Sequence, residues 1–98
     1  MRDTNPYPFG LKPGQMVCSI AGHDRGQYYM VIRAEQGGVW LADGRRRTLD
    51  RLKYKNCRHL SVLQENMLDA AISRSPSHIL TDAGIRTAVK LCAALENR

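Results

Sequence analysis

The chain has 98 residues, 43% of them apolar, 24% charged and 6% aromatic, and carries a net charge of +6. That length allows one domain, or one domain with an appendage, around a core of marginal size. Cys18, Cys57 and Cys92 are odd in number and widely spaced, which excludes a disulfide framework and a paired zinc-ligand motif, and no apolar run is long enough to cross a bilayer.

Residues 1–12 begin Met1-Arg2-Asp3-Thr4-Asn5-Pro6-Tyr7-Pro8, without the apolar centre of a secretion signal. Pro6 and Pro8 exclude helix, so an extended tail is expected, with Tyr7 and Phe9 able to fold back. A first strand is expected over 15–20. A loop follows over 21–26, where Gly22 and Gly26 can take positive φ. The second strand, 27–35, is rich in the β-formers Tyr28, Tyr29, Val31 and Ile32. Gln36-Gly37-Gly38 reads as a tight turn and 39–42 as a third strand. Asp43-Gly44 is a two-residue hairpin signal leading to a fourth strand from near Arg46 through Thr48 and Leu49. Residues 53–57 read as a polar connection, and 59–63 as a fifth strand with Leu60 and Val62 on one face. Five short strands in this space predict an SH3-like barrel whose closure removes exposed edges. Strands two and three are apolar on both faces, so the C-terminal segment is expected to cover the barrel.

After Leu63 the apolar period changes. A helix over 64–74 would place Met67, Leu68, Ala71 and Ile72 on one side, and Pro76 would end it. Thr81 is the expected N-cap of a second helix, with Asp82 in its first turn and Leu80 and Ile85 forming a hydrophobic staple. Ile85, Ala88, Val89, Cys92 and Leu95 then form one apolar stripe. The expected fold class is mainly β with C-terminal helices: a tail at 1–12, a five-stranded barrel at 13–63, and two packing helices at 64–98.

The charge is unevenly placed. Residues 1–63 hold 11 Lys/Arg against 5 Asp/Glu, whereas 64–98 hold 4 of each, so the whole excess belongs to the barrel. Such a surface attracts polyanions. Two segments carry the signal. Gly22-His23-Asp24-Arg25-Gly26 joins two strands and offers an arginine that can grip phosphate with parallel hydrogen bonds. Arg45, Arg46, Arg47, Arg51, Lys53, Lys55 and Arg58 occupy one stretch opposed only by Asp50, with Tyr54 between two lysines. Basic residues interleaved with a ring suit phosphate capture with base stacking. Tyr28, Tyr29 and Trp40 could form an aromatic cage, although core packing is the commoner use of such rings. His23, His59 and His78 are dispersed, the serines lack a nucleophile elbow, and no glycine-rich nucleotide loop is present. No catalytic centre, metal or cofactor is expected.

The run Pro13-Gly14-Gln15-Met16-Val17-Cys18-Ser19-Ile20-Ala21-Gly22-His23-Asp24-Arg25-Gly26, followed by Tyr29-Met30-Val31-Ile32, resembles the KOW motif. Leu41-Ala42-Asp43-Gly44 and Lys55-Asn56-Cys57-Arg58-His59-Leu60 look like its continuation in the eukaryotic-type ribosomal proteins of the L-fourteen-e group and their small bacterial relatives. The resemblance covers residues 13–63. It implies an SH3-like barrel that binds RNA, usually ribosomal RNA, without chemistry, and it singles out Gly22, Asp24, Arg25 and Gly26. Arg25 stands where the family often has lysine, a change that retains phosphate binding. The lead segment and the neutral helices have no secure counterpart. The expectation is a cytoplasmic, non-enzymatic RNA-binding protein of the ribosome or its assembly, with ribosomal proteins as further partners and neither membrane nor small-molecule substrate. The alternative is a protein-interaction module of the translation or transcription machinery, with the helices or Tyr28, Tyr29 and Trp40 making the contact.

Overall fold

A computed structural model describes residues 10–73 and 75–97, so the tail expected at its first nine positions, with Tyr7 and Phe9, lies outside the described residues. Five antiparallel strands form one sheet in the order β4-β3-β2-β1-β5: β1 Met16–Ser19, β2 Tyr28–Glu35, β3 Gly38–Ala42, β4 Lys53–Asn56 and β5 Leu60–Gln64. Register shifts between Met16 and Val17, and between Val31 and Arg33, bend the sheet into an SH3-like barrel. The barrel is not closed by hydrogen bonds. The sheet keeps β4 and β5 as its two edges, and a 3-10 turn at Cys57–His59 connects them.

Strand alternation sends side chains to two cores. Val17, Tyr29, Val31, Val39 and Leu41 point inward and meet Leu11 and Cys57. Met16, Met30 and Ala42 point outward and are covered by Met67, Ala71, Ile85, Ala88 and Cys92. The doubly apolar strands are therefore explained by a barrel interior on one side and helices on the other. Two helices supply the cover, α1 at Leu68–Ile72 and α2 at Asp82–Glu96. Thr81 caps α2 by accepting from the Gly84 N–H at 3.0 Å, while Leu80 and Ile85 both join the outer core. The stripe from Ile85 to Leu95 packs as its spacing predicts.

Three expectations fail locally. Helix α1 is shorter than the expected 64–74, because Gln64 still belongs to β5 and the Met67 N–H is tied to the Gly14 carbonyl at 2.8 Å. The two-residue hairpin expected at Asp43-Gly44 does not form, because Gly44 takes positive φ and Asp43 does not. The fourth strand is not at 46–49. It is the segment read as a polar connection, paired to β3 through Trp40↔Tyr54. Residues 43–52 form a loop whose backbone is already committed. The Asp43 carboxylate accepts from the Arg45 and Arg47 N–H groups, each at 2.9 Å, and the Asp43 N–H donates to the Arg47 carbonyl at 2.9 Å. Helix α2 then holds this loop in place. Asp82 accepts from the Leu49 N–H at 2.8 Å, and Arg86 Nη1 donates to the Gly44 carbonyl at 2.6 Å. Gly44, at φ +80°, lies so close to α2 that a Cβ there would collide with the Asp82 carbonyl.

Candidate nucleic-acid interface

The loop between β1 and β2 is built around an inward-facing carboxylate. Asp24 accepts from Ser19 Oγ and Tyr29 Oη at 2.8 Å each and from Lys55 Nζ at 2.9 Å, with Lys53 Nζ at 3.6 Å. Burial alone would raise its pKa. The hydrogen bonds from Lys55, Ser19 and Tyr29, with the charge of Lys53, outweigh that and hold the carboxyl well below its usual range. The same arrangement pushes the Tyr29 phenol upward, first by burial and then through its bond to Asp24. Gly22 and Gly26 adopt positive φ as expected, and the Gly26 N–H returns to the Ser19 carbonyl at 2.8 Å. His23 and Arg25 are left exposed at the tip.

The sequence placed Tyr54 between two lysines, and the strand separates them. Along β4, Lys53 and Lys55 reach Asp24, whereas Tyr54 emerges on the opposite face against Trp40, with ring centroids 5.1 Å apart and planes at 60°. The Lys55 side chain is 10% exposed and also donates to the Ala21 carbonyl at 3.0 Å, so its charge is spent inside the protein. Arg33 lies over the Trp40 ring at 5.2 Å. Tyr28, Tyr29 and Trp40 do not form a cage. Tyr28 packs under the helices, Tyr29 lies inside the barrel, and Trp40 sits on the outer face.

Folding does bring the loop at 43–52 against the β1–β2 loop. His23, Gln27, Arg46, Arg47 and Lys53 line a cleft of about 250 Å³ between them, together with Asp24 and Asp43. Both acids are already engaged, Asp24 by the lysines and Asp43 by backbone N–H groups. On the other side of Gln27 a second cleft of about 400 Å³ is lined by Arg45 together with Arg86 and Lys90 of α2. Arg25, Arg45, Arg46, Arg51 and Arg58 are exposed and Arg47 is half-buried. Arg25 stands at the tip of the β1–β2 loop, Arg51 lies in the turn that closes from Thr48, and Arg58 in the 3-10 turn beyond β4; none of the three lines these clefts.

Arg86 and Lys90 were missed in the sequence because 64–98 is neutral in sum. Their i, i+4 spacing beside Val89 was the available signal, since it puts two cations on one flank of the helix. Among the described residues, no group of three or more His, Cys, Asp or Glu side chains could hold a metal ion, and no helix is long and apolar enough to cross a membrane. No protein-family model matches the chain, and a comparison with curated proteins finds no match to it.

Proposed function

We propose that the chain is a non-enzymatic, cytoplasmic RNA-binding protein that acts on ribosomal RNA in the ribosome or during its assembly. One observation carries the reading: two loops far apart in sequence meet around a cleft rimmed by Arg46, Arg47, His23 and Lys53, with Arg45 adjoining. The KOW resemblance of residues 13–63 supports it independently of charge. Arginine side chains there bind phosphate oxygens, and displaced counterions supply much of the affinity. Contacts to phosphate and sugar set the register, while unpaired bases provide selectivity. Asp24 and Lys55 have a different role from the exposed cations. They neutralise each other and hold the β1–β2 loop in the shape that presents Arg25.

A protein-docking reading has one observation in its favour, the 46% exposed Tyr54 beside Trp40 on the outer sheet face. Ile85, Ala88 and Cys92 of the α2 stripe are unavailable for that purpose because they are buried on the sheet. Sedimentation of cell lysate separates the two readings. RNA binding predicts that the protein travels with ribosomal subunits and is released by high salt or nuclease. Association that survives nuclease and salt would refute the RNA reading in favour of protein docking.

A further inference from the structure

We infer that the cleft between α2 and the β1–β2 loop holds a single unstacked nucleotide of the bound RNA, an inference that rests on the RNA-binding reading above. The cleft, about 400 Å³, has the size of a small-ligand site. Its chemistry is divided by position. Arg45, Arg86 and Lys90 supply cations, and Arg86 is fixed by its 2.6 Å bond to the Gly44 carbonyl, which leaves its other N–H groups to face a phosphate. Tyr28, Val89 and Ala93 provide an aromatic and aliphatic surface for a base. Gln27 adds an amide that can meet a base edge, and Asn97, whose Nδ2 donates to the Ala93 carbonyl at 2.8 Å, adds its Oδ1 as an acceptor.

The helix gives the site a direction. Arg86 lies near the N-terminal end of α2, whereas Ala93 and Asn97 lie at its C-terminal end, where carbonyl groups carry partial negative charge. Phosphate is therefore favoured beside Arg45 and Arg86, and a base carrying amino donors beside Asn97. A paired base inside a duplex cannot enter such a cleft; an unpaired base in a loop or bulge can. Helix α2 thus serves as part of the binding surface as well as the cover of the outer core.

The test compares a hairpin RNA having an unpaired loop with a fully paired duplex of equal length, by fluorescence anisotropy. Ala93→Phe fills the cleft without altering charge. Lys90→Glu changes an exposed position and keeps the test valid if the first variant folds poorly. Arg46→Glu, in the neighbouring cleft, reports on the wider reading. The expected result is a loss of about tenfold in hairpin affinity for Ala93→Phe with duplex affinity retained, and a larger loss on hairpin than on duplex for Lys90→Glu. Unchanged hairpin affinity in both variants, while Arg46→Glu weakens binding, overturns the nucleotide site and leaves the RNA reading standing. Wild-type protein that fails to bind either RNA at low salt overturns both.

Discussion

Replacing Asp24 by alanine should destabilise the barrel far more than an exposed loop substitution would. The change removes the carboxylate that Ser19, Tyr29 and Lys55 all donate to within 2.9 Å. Lys55, only 10% exposed, is left with the Ala21 carbonyl at 3.0 Å, and the buried Tyr29 hydroxyl loses its acceptor. Removing one partner of a buried ion pair costs about 3–5 kcal/mol, because the remaining charge stays desolvated. In a domain of this size, 3 kcal/mol corresponds to a fall in Tm on the order of 15 °C. Urea unfolding followed by fluorescence of Trp40, the only tryptophan, measures this directly. Adding Lys55→Met to Asp24→Ala should recover part of the loss, since the stranded ammonium is gone. A single-variant cost below about 1 kcal/mol, or a double variant no more stable than the single, would show that the pair is not the structural clamp described.

Other consequences follow from the same contacts. Gly44→Ala should cost about 3 kcal/mol, combining left-handed backbone strain with a Cβ forced against the first turn of α2, and an unchanged unfolding midpoint would contradict that packing. Asp24, depressed below its ordinary value of 3.8, contributes stability that is complete above that value and is lost as pH falls through the lower folded value. Tyr29, raised above its ordinary 10.0, behaves in the opposite direction, and its contribution disappears in stronger base. Urea midpoints that stay flat below about pH 4 in wild type, or that fall equally in Asp24→Asn, would break the acid half of this linkage. Cys92 is fully buried and its pKa is pushed up to about 11, mainly by burial, so with buried Cys57 it should resist alkylation until the chain unfolds; mass spectrometry showing both modified as fast as free thiols would refute the two-core packing.

The parts legible in the sequence were those with a regular apolar period. Strands β1, β2, β3 and β5 and the stripe of α2 fall within a few residues of where their patterns placed them. Strand β4 was illegible because its inward residues are Lys53 and Lys55, tolerated only through an acid some thirty positions earlier in the chain. Hydropathy cannot identify a strand whose buried face is charged. The Asp43-Gly44 signal marks a bend with positive φ at Gly44 but not at Asp43, and Asp82 and Arg86 hold the following residues on α2 and out of any ladder. The candidate site was legible as charge at Arg45–Arg47, whereas Arg25 stands at the neighbouring loop tip outside both clefts. The roles within it depended on direction: Asp24 and Lys55 point inward, Tyr54 points to the far side, and Arg86 and Lys90 come round from the helix.

The slope of RNA affinity against salt tests the central claim most directly. Each phosphate contact contributes about 0.7–0.9 to the fall of log K with log salt. Wild-type protein should show a steep dependence on structured ribosomal RNA, and changing Arg45, Arg46 and Arg47 together to alanine should flatten that slope by about two units while the fold persists. A slope that is near zero in wild type, or identical in the triple variant, would contradict phosphate capture by this face.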